Sequence, residues 1–487
     1  MEGIFRSENL LQPTKNWESA ALAALVATTA AWSPPLPADT LFPAALGAAA
    51  AARCRRALLA PNGAARALAA GGAPSPEISP VDFGADPTGA ADSSPAFARA
   101  LAVLLSRNAT GGTLGAGIAD LGGATLALGG GVYSLSAPLV IPPLVGNLRV
   151  AGGTLRAGAG FPAGRALVET GAAGCTDTCN VNFALEDLLL DGGLRARGGV
   201  WARGAFGARL AGLYVINFTT TGIDVESGHE VVLSSSWVAQ VPLGDRRREN
   251  ATFAAGSTGV LLNGNDHFVS DVICFGAAVG LNVSGAANII RGFHVWGLSS
   301  PFGGVGILVN AAQTRLEGVY LDGSPLVIAK PELVSVTDSF FLCSGLNVSG
   351  QLWPQVVIDA SANGAVVGLT VTGSIFSGWF CEPFVVRGDV ARVAAVNIQS
   401  NVLNYGTPAP ALSATAVVTA AEPTTRFEFD FSPLLVFGNR TLKSVAFSLT
   451  LPPGVFARAA ARAGAGALAV VETDLPVVGS ATITASH

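Results

Sequence analysis

Between Gly222 and Asp271 the chain gathers two of its four histidines and much of its useful acidity. Asp224 and Glu226 are spaced i, i+2, which on a strand puts both carboxyls on one face about 7 Å apart. A second set follows: Glu230, Asp245 and Asp266, with His229 and His267 interspersed and Arg246 beside Asp245. Carboxyls in unlike surroundings can keep one group protonated and another ionised. That is the requirement for acid–base work in which one donates a proton to a leaving oxygen and the other takes one from water. Arg246 suits a carboxylate on a ligand, and Asn263 is a further polar contact for one. Asp191, closing the run LEDLLLD just upstream, completes the candidates. Each has an ordinary alternative: a solvated carboxylate for Asp224 and Glu226, a turn cap for Asp191, Asp266 and His229, and a solvated charge run for Asp245 to Arg248.

The elements that must position these residues announce themselves by a repeated start. Gly222-Ile223-Asp224-Val225-Glu226 aligns over Gly259-Val260-Leu261-Leu262-Asn263. Gly199-Val200, Gly280-Leu281-Asn282-Val283-Ser284 and Gly306-Ile307-Leu308-Val309-Asn310 begin the same way. Each reads as a short strand with one aliphatic face and one free for chemistry. The longest interval between starts holds the charged loop Gly244 to Asn250, the pattern of a coil of parallel strands with an insertion on its binding side. Counted from the glycines, His229 is level with Asp266 and Glu230 with His267, while Asn282 takes the strand position of Asp224.

Composition agrees with many short strands and tight turns: 60 glycines and only 13% charged residues leave little for polar helix faces. The net charge of −5, with no basic run longer than Arg246-Arg247-Arg248, argues against nucleic acid as a partner. No stretch is long enough to span a bilayer. Ala20 to Trp32, stopped by Pro34 and Pro35, fits the apolar core of a secretory signal better. Sequons at Asn108, Asn217, Asn250, Asn282, Asn347 and Asn439 also point outside the cell. Among the six cysteines, Cys175 with Cys179 and Cys343 with Cys381 are candidate bridges; a metal site at the first pair is the weaker alternative.

In chain order, residues 1–75 are rich in Ala, Pro and Arg and lack periodicity, as a targeting segment and linker would. A strand ends in the turn Gly84-Ala85-Asp86-Pro87-Thr88-Gly89. A helix then starts at a Ser94 cap with Pro95, and its stripe of Phe97, Leu101, Leu104 and Leu105 serves to cover an open end of the coil. Short strands continue to about residue 405. Gly406 to Thr425 is a linker by composition, and 426–487 reads as a small antiparallel sandwich. The expected fold is all-β: a right-handed parallel β-helix over 78–405 with a capping helix and a C-terminal β-sandwich.

The opening blocks VDFGADPTG and SPAFARAL resemble the start of pectate-lyase-like parallel β-helices. The blocks SGHEVVLSSS, GDRRREN, LNGNDHFVSDV, VSGAANIIRGFHVW and FGGVGILV, with the tail FDFSPLLVF and VVETDLPVVGSATIT, resemble the QUARTET-type polygalacturonases over roughly 78–487. The resemblance implies a secreted, monomeric, wall-directed enzyme that hydrolyses α-1,4 links of homogalacturonan without a cofactor. The Asn-Thr-Asp, Asp-Asp, Gly-His-Gly and Arg-Ile-Lys marks of glycoside hydrolase family 28 are absent; Gly228-His229-Glu230 comes nearest. Hydrolysis with inversion needs carboxyls about 6.5–9.5 Å apart and retention about 5 Å, and a coil of strands supplies either. The expectation favours the second set, with Asp266 and Asp245 as acid and base, Glu230 and His229 in support, and Arg246, His267 and Asn263 binding substrate. Asp224 and Glu226 are the reserve pair. The alternatives are a lyase with calcium-bound carboxylates or a non-catalytic pectin-binding protein.

Overall fold

Alternating aliphatic and polar residues make strands that bury one side, and repetition at rung length lets each strand pair with its counterpart one turn on. A computed structural model describes residues 77–106, 112–240, 256–296, 304–344, 352–404 and 408–487, all within one compact unit. Segment 1–75, Asp245, Arg246 and the sequons at Asn108, Asn250 and Asn347 lie outside the described residues.

The strands form a 29-stranded network of parallel pairs coiled into a right-handed β-helix. Each full turn contributes to three faces. Sheet 1 stacks Ala166–Thr170, Gly198–Phe206, Thr221–His229, Thr258–Leu262, Val279–Val283, Val305–Val309 and their successors. Sheet 2 contains Arg209–Ala211 and the first halves of Val232–Ala239, Phe268–Phe275 and Ile289–Trp296; sheet 3 contains Tyr214–Ile216 and the second halves. The core is a set of columns, such as Val200, Ile223, Val260, Leu281 and Ile307, all fully buried.

One left-handed residue joins sheet 2 to sheet 3 on turn after turn: Asp187, Gly212, Ser235, Asp271, Gly292, Gly318, Asp338, Gly373 and Ser400. Only Gly or a short polar side chain tolerates that backbone cheaply. Just past this joint a buried polar ladder closes the backbone account, with Ser339 N donating to Ser374 Oγ and Ser374 N to Asn401 Oδ1.

The helix Ser94–Leu105 buries Phe97, Leu101 and Leu104 over the first rungs; its N-cap is Ser93 rather than Ser94. The residues before the Asp86 turn form a short 3-10 helix, Pro80–Phe83, rather than a strand. The C-terminal module is antiparallel, built from Ser413–Asp430, Ser444–Thr450, Ala459–Ala463 and Leu468–Ser486. Its long strands shift register near Ala420 to Arg426, and their two ends share one core of Phe427, Phe431, Val471, Ile483 and Ala485. The linker expected over 406–425 is therefore strand from Ser413 onward: its Thr and Val residues pair with 477–486, and composition alone hid that pairing.

Candidate active site

The fold sets the reserve pair, Asp224 and Glu226, among arginine and tryptophan side chains on one face. On the outward side of sheet 1, Glu169, Trp201, Asp224 and Leu261 stand in one column, and Arg203 pairs with Glu226 in the next. Trp201 on one side and Leu261 on the other wall Asp224 in, leaving it 3% exposed. Arg197, in the turn entering sheet 1, closes over it, with Nη2 2.5 Å from Asp224 Oδ2. Its guanidinium lies 4.1 Å from the Trp201 ring centroid, and that of Arg203 lies 3.6 Å away. Glu226 is more open and accepts a hydrogen bond from Trp201 Nε1 at 2.7 Å, with Arg203 Nε 3.7 Å away.

These surroundings split the carboxyls electrically. Loss of hydration pushes Asp224 up to about 6, a rise reinforced by Glu226 and opposed by Arg197 and Arg203. Glu169 is as deeply buried, and burial alone would raise it too. A fork of two hydrogen bonds from Arg165, another from Ala166 N, and the charges of Arg165 and Arg203 hold it below the usual carboxylate range instead. One column thus holds a fixed anion and, two rungs on, an acid whose pKa is pushed up to about 6.

The expected second set is arranged differently. Asp266 and Glu230 are exposed turn residues with φ of 61° and 58°. His229 sits between Asp177 Oδ1 at 3.3 Å and Asp266 Oδ2 at 3.6 Å, and its ladder partner is Asn265, one residue off the alignment by glycines. His267 is not a substrate contact: it is 1% exposed, its Nδ1 accepts from Val231 N, and its backbone N donates to Asn288 Oδ1. Burial, with His229 nearby, lowers its pKa to about 4 against the pull of Asp266. Asn263 is exposed, and its amide extends the ladder to Val225 O. Asp191 is the last residue of the strand Asn180–Asp191 and accepts from Gly193 N, Asn217 Nδ2 and Arg156 Nε. Asn217 therefore spends its amide inside the fold, whereas Asn282 bonds to Ser284 and Asn310 on the outward face of sheet 1.

Cys175 is bonded to Cys179 and Cys343 to Cys381. The first loop leans on the site's strand, where Ser227 Oγ donates to Cys175 O. Sequence reasoning missed Glu169, Arg197, Trp201 and Arg203. The signal was within reach: carrying the glycine alignment one turn back sets Gly199-Val200-Trp201-Ala202-Arg203 under Gly222-Ile223-Asp224-Val225-Glu226.

No protein-family model matches the chain. A solved structure, Geobacillus virus E2 ORF18, superposes with a TM-score of 0.51 at 13% identity, covering 82% of this chain and 77% of that one, a likeness of fold. Polygalacturonase QRT3 of Arabidopsis thaliana is 30% identical over 420 residues, 84% of this chain and 83% of that protein. Matching nearly end to end at that identity, on a parallel β-helix, the chain belongs to the QUARTET-type polygalacturonases of the pectin-lyase-like superfamily.

Proposed function

We propose that the protein hydrolyses α-1,4-galacturonosyl links of homogalacturonan, with Asp224 as proton donor and Glu226 as base. The observation that carries this is the pair itself: a buried acid with its pKa near 6 two residues from a more open carboxylate on one face of sheet 1. Spacing of i, i+2 puts the carboxyls about 7 Å apart, in the range for inversion. Asp224 gives its proton to the glycosidic oxygen as the C1–O bond breaks. Glu226 takes a proton from water, whose oxygen bonds C1 from the opposite side, and solvent restores both groups. Arg197 and Arg203 supply cations for the substrate's carboxylates. This assignment replaces the Asp266 and Asp245 expectation, since Asp266 is an open turn residue. Two disulfides and the family suit an oxidising compartment, the cell wall outside the membrane.

Product analysis on polygalacturonic acid tests the proposal. Saturated reducing ends are expected, lost by about 10²-fold or more in Asp224→Asn and in Glu226→Gln. In the wild type kcat/KM should fall as pH rises through about 6, where Asp224 of the free protein gives up its proton. Unsaturated ends would replace hydrolysis with elimination, and binding without products would leave a pectin-binding β-helix.

A further inference from the structure

Asp224 cannot work in the geometry just described. Its Oδ2 is held by Arg197, and its Oδ1 is buried with no hydrogen-bond partner. Arg197 Nη1 is in the same condition, buried and unpartnered. An orphaned acceptor and an orphaned donor on the two members of one ion pair mark an arrangement that is costly to keep shut. They also leave the acid sealed from any glycosidic oxygen. Arg197 is placed to move. Its side chain is partly exposed, it enters from a turn rather than a strand, and its guanidinium carbon stands 4.1 Å from the Trp201 ring centroid. Sliding along that ring keeps the cation–π contact while the guanidinium leaves the carboxyl.

We propose that Arg197 is a latch released by substrate charge: a galacturonate carboxylate draws its guanidinium off Asp224, so the acid is uncovered only beside an unesterified sugar. The inference rests on Asp224 being the proton donor and adds a basis for choosing unesterified over methyl-esterified pectin. A carboxylate competes for the guanidinium as a bidentate anion, whereas a methyl ester offers a neutral acceptor that cannot displace Asp224. The charges facing Asp224 are Arg197, Arg203 and Glu226, with Glu169 beyond Trp201; the rung on its other side presents Leu261. When Arg197 leaves, the acid loses its nearest cation, keeps Glu226 as a neighbour, and holds its proton more firmly. Latch release therefore carries a proton onto Asp224 from solvent when binding occurs near or above the pH at which the free group ionises.

The test is calorimetric titration of the intact protein with trigalacturonate at pH 6.5, in buffers of different ionisation enthalpy, which reads protons taken up on binding. The wild type should take up a substantial fraction of one proton, Asp224→Asn none, and trigalacturonate trimethyl ester none. Arg197→Gln should bind trigalacturonate at least tenfold more weakly and without uptake. It should also cut the rate ratio of polygalacturonate to methyl-esterified pectin by a similar factor. Binding by the wild type without proton uptake overturns the latch even if hydrolysis is confirmed, as does failure to bind trigalacturonate. Uptake that depends on Asp224 and Arg197 sustains the latch even if no products form, which separates its fate from that of the catalytic assignment. The wild-type measurement needs no variant to fold.

Discussion

Asp224 acquires its chemistry from what surrounds it. A carboxyl between Trp201 and Leu261 with little water is easier to protonate than to ionise, and that preference has a measurable cost. Its folded pKa lies above the unfolded value of 3.8, so its contribution to stability is full below 3.8 and is lost as pH climbs through about 6. Above that pH the ionised group costs the fold on the order of 3 kcal/mol relative to the neutral one. Asp224→Asn should therefore raise the thermal midpoint by a few degrees at pH 7.5 and leave it nearly unchanged at pH 3.5. An equal shift at both pH values would place the effect elsewhere. The sequence showed that Asp224 and Glu226 share a face, because alternation is local. It did not show that Asp224 is buried, because the residues that bury it stand on other rungs and in a turn.

Two kinds of single residue hold the rungs in register. Asn288 is fully buried; its Nδ2 donates to Gly264 O and Gly285 O and its Oδ1 accepts from His267 N. Asn288→Ala orphans three backbone groups and should cost about 3 kcal/mol in chemical denaturation. It should also loosen the turn that carries Asp266. Ser235, exposed at φ 47°, marks the joint between sheets 2 and 3. Ser235→Val should cost about 1–2 kcal/mol and Ser235→Gly almost nothing, because the penalty comes from a branched Cβ in left-handed backbone. Parity between the two variants would remove that explanation. The rung period was legible because five successive strands of sheet 1 have a glycine as their second residue, from Gly199 to Gly306: added at Gly222, a Cβ would meet Gly259 O at 2.7 Å. The level of His229 was misjudged by one residue, since the turns between sheets 1 and 2 differ in length and counting from a glycine carries that error forward.

Across the whole molecule, closure comes from the helix at one end and covalent ties along the coil. Cys343 and Cys381 are 38 residues apart in sequence and Cys175 and Cys179 only 4. Chain entropy makes the longer tie worth about 4 kcal/mol and the shorter about 2 kcal/mol. Replacing both Cys343 and Cys381 with Ser should thus lower the denaturation midpoint about twice as much as replacing Cys175 and Cys179; the reverse order would show that the short loop's hold on Ser227 matters more than entropy. The β-helix was readable from repetition, but the start of the C-terminal module was not, because small Ala and Thr residues in a paired strand resemble a linker until the partner strand is known. The single left-handed joint between sheets 2 and 3 also restricts how the family can vary. A joint of one residue admits neither insertion nor deletion, whereas the step from sheet 3 back to sheet 1 differs from turn to turn: Phe275 and Val279 are four positions apart, Ile216 and Thr221 five, and Ala239 and Thr258 nineteen. Length is thereby free to change only at the border of the face that carries Asp224, where a longer or shorter connection would reshape the approach to that face while the frame stays unaltered.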